Sequence, residues 1–168
     1  MTLEELNDER EVLRLAHRYA QALDRGDTAA WAELFTKDYV FGRARGGGLH
    51  YDEVVRLPEL QLQRYASTWH GVQTQNVTLH GDGTAEGETY CIARHIYSDD
   101  HIRPGADPFS LSHDMLLRYQ DRYRKDDGVW RFCERRVISE MRVVHHVILP
   151  PASAAGAPAA DKSSRRGF

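Results

Sequence analysis

Five side chains, spread over most of a 168-residue chain, supply the groups for proton-transfer chemistry: Tyr19, Asp24, His70, His95 and Arg135. Asp24 stands out by its place. In YAQALDRGD (residues 19–27) it falls in the last turn of a helical pattern, where the dipole favours cations by about 0.3–1 kcal/mol, so the carboxylate has no helix-stabilising task. A carboxylate beside an imidazole makes an orienting pair: it accepts from one ring nitrogen, fixes the tautomer, and leaves the other nitrogen as a base near physiological pH. Tyr19 and Arg135 would stabilise negative charge developing on a carbonyl or a leaving oxygen. Each residue also has an ordinary explanation: a solvated terminal acid, a packed strand histidine, a core tyrosine, or an arginine between Glu134 and Arg136 in a charged strand.

The elements that must position these groups follow from hydrophobic periodicity. Val12, Leu15, Ala16, Tyr19 and Leu23 form one apolar stripe, so a first helix is expected over 3–25 and closes at Gly26; Asp27 then caps a short second helix over 28–35. DYVF (38–41) reads as a strand. GRARGGG (42–48) reads as a loop, because it lacks the Lys-Ser/Thr ending of a phosphate loop. Residues 51–66 look helical, with Pro58 breaking or restarting the helix. From there strand patterns take over: 68–79, 85–97, 110–124 and 129–147, with the turns GDG and KDDG joining two hairpins. Helices followed by an antiparallel meander give an α+β domain in which a curved sheet wraps over helices.

Strand alternation sorts the candidates. Ala85, Gly87, Thr89, Cys91, Ala93 and His95 share a face of small residues, which suggests a cavity wall beside His95. In the last strand Trp130, Phe132 and Ile138 are expected to pack against helices. Cys133, Arg135, Val137 and Met141 take the other face, so Arg135 looks into the hollow. His70, in register with Val72 and Thr74, points either way.

Composition narrows the function classes. The length suits one domain, placed at 1–149, and the Pro/Ala/Ser-rich residues 150–168 offer little apolar surface and are expected to be disordered. A net charge of −3 with both signs interspersed argues against a nucleic-acid partner. Two distant cysteines, Cys91 and Cys133, argue against a disulfide framework and for a reducing, cytoplasmic setting. The N-terminus is acidic and polar, and no apolar run reaches the roughly 18 residues of a membrane span. A metal site built from SDDH (98–101) or from His145 and His146 matches no familiar ligand spacing.

Three longer stretches, YAQALDRGDTAAWAELFTKDYVF, STWHGVQTQNVTLHGDGTAEGETYCIARHI and RYQDRYRKDDGVWRFCERRVI, resemble in order and spacing the SnoaL-like branch of the nuclear transport factor 2-like superfamily. The resemblance runs over about residues 11–142 and implies a cone-shaped α+β barrel with a strongly curved, mixed but mostly antiparallel sheet. Within the superfamily the pattern is most similar to the bile acid 7α-dehydratases, γ-hexachlorocyclohexane dehydrochlorinase and scytalone dehydratase, cofactor-free enzymes that catalyse eliminations with an Asp-His pair. On that resemblance Asp24 takes the acid's place and His70 the base's. Tyr19 matches the bile acid dehydratase tyrosine, Arg135 the pocket arginine, and His95 the second histidine of scytalone dehydratase. The bile acid enzyme has an acid near the last position, which leaves the leaving-group side open.

The expectation is therefore a cofactor-independent, dehydratase-like lyase acting on a small apolar polycyclic or aromatic substrate. An isomerase or polyketide-type cyclase using the same base, and a non-catalytic ligand binder, are the alternatives. The resemblance implies a homotrimer, with a dimer as the other option.

Overall fold

The chain starts its first helix by satisfying its own backbone. Thr2 caps α1 (Leu3–Arg25): its hydroxyl accepts from Glu5 N at 3.1 Å, while the Glu5 carboxylate accepts from Thr2 N at 2.7 Å. The expected stripe is buried, with Val12, Leu15, Ala16, Tyr19 and Leu23 all facing inward. Gly26 ends the helix at φ 67°, a left-handed conformation that glycine adopts without steric cost. Asp27 then caps α2 (Thr28–Ala32) by accepting from Ala30 N at 3.0 Å.

The computed structural model describes residues 2–43, 48–97 and 110–148. Three expectations fall wholly or partly elsewhere: most of the glycine loop, SDDH at 98–101 and the disorder of the tail at 150–168 lie outside the described residues.

α2 stops sooner than expected. Residue 35 already belongs to β1 (Phe35–Arg43), which runs beside the last strand, and Phe132 N donates to Leu34 O at 2.9 Å. A three-residue strand, β2 (Gly48–His50), was not foreseen; it pairs antiparallel with β1. The helical stretch splits at Pro58 as expected, into α3 (Tyr51–Val54) and α4 (Leu57–Arg64), with the proline in the first turn where its missing N–H costs nothing. The meander follows as β3 (Tyr65–Leu79), β4 (Thr84–Tyr97), β5 (Ser110–Asp126) and β6 (Val129–Val147).

These strands form one six-stranded sheet in the order β2-β1-β6-β5-β4-β3. All neighbours are antiparallel except β1 and β6, which run parallel. The sheet is open: β2 and β3 are its edges. α1 lies against the inner face across β3, and the main core fills the space between them with Leu15, Tyr19, Trp31, Phe35, Tyr39 and Phe132. Trp31, wholly buried, donates its indole N–H to Val54 O at 2.8 Å, so its ring contributes burial without an orphaned donor.

One expectation about faces is corrected. Between Tyr123↔Phe132 and Arg122↔Glu134 the register shifts, leaving Cys133 as an extra residue in β6. The alternation therefore flips, and Arg135 is buried on the same inner side as Trp130 and Phe132 instead of opposite them. A second shift leaves Glu140 extra, pairs Met141 with Leu116, and puts Met141 outside at 55% exposure.

Candidate active site

The last turn of α1 carries Asp24 to the inner face of β3, where three donors converge on its carboxylate. Thr68 Oγ1 donates at 2.8 Å, His70 N at 2.8 Å, and His70 Nδ1 lies 2.6 Å away. Burial pushes the Asp24 carboxyl upward, but the hydrogen bond and charge of His70 and the bond from Thr68 outweigh it and hold the group below its ordinary value. Asp24 is thus an anion at neutral pH. Because a carboxylate only accepts, Nδ1 carries a proton, and in the neutral form of the ring the lone pair is therefore on Nε2.

His70 points inward, settling the orientation that alternation left open, while its neighbour Trp69 faces out at 55% exposure. The His70 side chain is 4% exposed and makes no hydrogen bond through Nε2 to any described residue. Its ring meets that of His95 edge to face, centroids 5.5 Å apart. His95 stands on the expected wall of small residues, with Ala93 and Cys91 buried beside it. Burial, then the proximity of His70 and His113, drives the His95 pKa down to about 4, so the ring is a neutral donor and acceptor rather than a cation. Tyr65 packs against it at a tilt, centroids 4.6 Å apart, and His95 Nδ1 has no partner among the described residues. The Cys91 thiol is pushed up to about 11 by burial, which rules it out as a ready nucleophile.

Tyr19 sits one layer deeper, 6.5 Å from the His70 ring and packed on Trp31, Tyr119 and Phe132. Burial raises its phenol above the ordinary value despite the neighbouring guanidinium, and the hydroxyl stays protonated. Arg135 forms the floor. It is 0% exposed, donates to Asp121 through Nε at 2.6 Å and Nη2 at 2.7 Å, and lies 4.0 to 4.4 Å from the ring centroids of Tyr119, Tyr19 and Phe132. Its Nη1 alone lacks a partner among the described residues.

All five sequence candidates thus converge on one inner surface, but at different depths. Asp24, His70 and His95 form the layer with free ring nitrogens; Tyr19 and Arg135 lie beneath it. Sequence reading missed Thr68, which shares His70's face two positions earlier, and Asp121, which shares the inner face of β5 with Tyr119 and Tyr123. Strand parity carried both signals. A separate depression of about 430 Å³ lies on the outer face of the sheet between Glu86, Glu88, Arg122, Glu134 and Arg136, and contains none of the five. Among the described residues no group of three His, Cys, Asp or Glu side chains is arranged to hold a metal ion, and no helix is long and apolar enough to cross a membrane.

Comparison with known proteins places this geometry in context. The SnoaL-like domain model matches residues 4–136. A protein of Novosphingobium aromaticivorans provisionally described as a scytalone dehydratase is similar over 88% of this chain and 94% of its own, at 23% identity and a TM-score of 0.74. A type 2 hexachlorocyclohexane dehydrochlorinase, LinA, aligns over 89% and 98%, at 16% identity and a TM-score of 0.75. The type 3 enzyme of Novosphingobium barchaimii does so over 88% and 99%, at 14% identity and 0.73. At these identities the likeness is one of fold. No curated protein matches significantly.

Proposed function

Since the chain belongs to the SnoaL-like domain family, we propose that it is a cofactor-independent lyase of the dehydratase type, acting on a small apolar polycyclic or aromatic substrate. The observation that carries this reading is the 2.6 Å contact between His70 Nδ1 and Asp24, with the other ring nitrogen left unbonded among the described residues. A base must have a lone pair, an orientation and a partner for the charge it acquires. His70 has all three.

In the proposed reaction His70 Nε2 takes a proton from a carbon next to an activating carbonyl. The electron pair of the broken C–H bond forms the new double bond as the C–O bond breaks, and the departing hydroxide takes the proton back from His70 and leaves as water. Asp24 balances the imidazolium formed on the way. His95, neutral and with Nδ1 unpartnered among the described residues, hydrogen-bonds the carbonyl or the leaving oxygen. Tyr19 donates from below. Arg135 acts through the Tyr19 ring, because its guanidinium is sealed against Asp121 and three aromatic rings. The neighbours named for dehydration and dehydrochlorination support elimination as the reaction class.

The test is turnover of a panel of β-hydroxy ketones on polycyclic or aromatic frames, read by mass. The expected product is lighter than its substrate by one water, and His70→Ala removes activity while circular dichroism stays unchanged. A His70→Ala protein as active as the original sinks the assignment. Product of unchanged mass would favour the isomerase or cyclase, and saturable binding without product the ligand carrier. We further propose a homotrimer, against a dimer, in a cytoplasmic setting; light scattering on the eluted protein reads the assembly.

A further inference from the structure

Nothing in the chemistry above requires Asp121, yet the fold gives it a costly position. Both members of the Asp121–Arg135 pair have fully buried side chains, and burying a pair of charges is favourable only when geometry and further hydrogen bonds compensate the lost hydration. Here they do. Two parallel N–H···O bonds of 2.6 and 2.7 Å join the groups, and the Tyr123 hydroxyl donates to Asp121 Oδ2 at 3.1 Å. The guanidinium so held lies against three rings, 4.1 Å from the centroid of Tyr19. Tyr19 in turn meets His70 edge to face. A line of contacts therefore runs from Asp121 through Arg135 and Tyr19 to the base.

A bare cation on a phenol ring would favour phenolate, and a phenolate donates no hydrogen bond. We propose that Asp121 is a positioning residue of the site: by clamping and neutralising Arg135, it lets a cation lie on the Tyr19 ring while the Tyr19 hydroxyl remains a proton donor towards substrate. The electrostatics around Tyr19 agree with the geometry. Burial raises its phenol, Arg135 lowers it, and Cys91 and Asp121 raise it again. The remaining titratable groups on packed elements are Asp24 on its own helix, Tyr39 on β1, His70 on β3 and Tyr119 on β5. Among these groups Arg135 is the cation and Asp121 the carboxylate that faces it.

The functional half of this inference rests on the lyase reading, whereas its electrostatic half is measurable without turnover. Carbon-13 spectra of the tyrosine Cζ atoms, with Tyr19 assigned by its loss in Tyr19→Phe, follow the phenol directly. In the unmodified protein the Tyr19 signal titrates above the range of an ordinary phenol. In Asp121→Asn it moves to lower pH by about 1–2 units, the size expected for one uncompensated charge at this range. Asp121→Asn/Arg135→Met returns the Tyr19 midpoint to the higher range. If Asp121→Asn does not fold, Asp121→Ser, which leaves room for water at the guanidinium, carries the same expectation. An unmoved Tyr19 signal in a folded single variant, or a shift that persists in the double variant, overturns the proposal. The basic limb of the kcat profile should move down with the phenol. A moved signal without any turnover on the substrate panel would sustain the charge balance while removing the lyase reading.

Discussion

Asp24–His70 and Asp121–Arg135 are two carboxylate pairs on the same inner face, each with a closest contact of 2.6 Å, and they differ in what is left over. The Asp24 side chain is 20% exposed, and its partner keeps one ring nitrogen without a bond to any described residue. Asp121 and Arg135 are both at 0%, with the carboxylate bound twice to the guanidinium and once to Tyr123. The first pair has a ring nitrogen left over. The second is a fixed charge balance: burial alone would favour the neutral guanidine, but the charge and hydrogen bonds of Asp121 outweigh it and hold Arg135 well above its ordinary value. A short contact therefore does not mark chemistry by itself; a spare proton site beside it does.

Arg135→Ala should have the largest effect and is the hardest test of that contrast. It leaves Asp121 charged and buried without its partner, which costs about 3–5 kcal/mol of folding free energy. Denaturant unfolding measures this, and a loss below about 1 kcal/mol would erase the distinction between the pairs. Asp24→Asn keeps the shape of the first pair but removes its charge. It should lower kcat by about 10²–10³ while the unfolding midpoint barely moves. Steady-state kinetics beside thermal melting separates the two quantities.

A pH series sharpens the comparison further. His95 titrates near 6.5 when unfolded and at about 4 when folded, so the unfolded chain binds the extra proton between those values. Its contribution is complete above pH 6.5 and is lost as pH falls towards 4, by about 3 kcal/mol in all. His95→Asn should flatten that slope in unfolding curves taken between pH 7 and 4. Asp24, whose folded value is also depressed, adds its own loss only below about pH 4. Thr68→Ala removes one of the three donors to Asp24 and should cost about 1 kcal/mol, seen as a modest shift in melting and at most a tenfold fall in kcat.

Much of the positioning was legible in the chain because it is local. Thr2 and Glu5 start α1, Gly26 stops it, Asp27 restarts the chain, and Asp24 follows from its place in that last turn. The hairpin turns were equally plain: Gly81 and Gly83 have positive φ, as do Asp127 and Gly128. The wall under His95 followed from uninterrupted alternation in β4, whose pairing with β5 has no register shift. β6 behaved differently. Its period-two pattern reads the same with or without an extra residue, so Arg135 was correctly expected inside while Trp130 and Phe132 were set on the wrong side of it.

The amino-acid sequence alone determined which residue types were available and where helices and turns begin and end, since capping, glycine conformation and hydrophobic period act over a few neighbouring residues. Tertiary structure decided the rest. It drew Phe35 out of a helix into a strand beside β6, turned His70 towards Asp24, and shifted the β6 register at Cys133. Each of these is settled by hydrogen bonding and burial against elements far away in the chain. The pairing of Asp121 with Arg135 is of the same kind: alternation can place a carboxylate and a guanidinium on one face, but only the closed core makes leaving either one unpaired too costly.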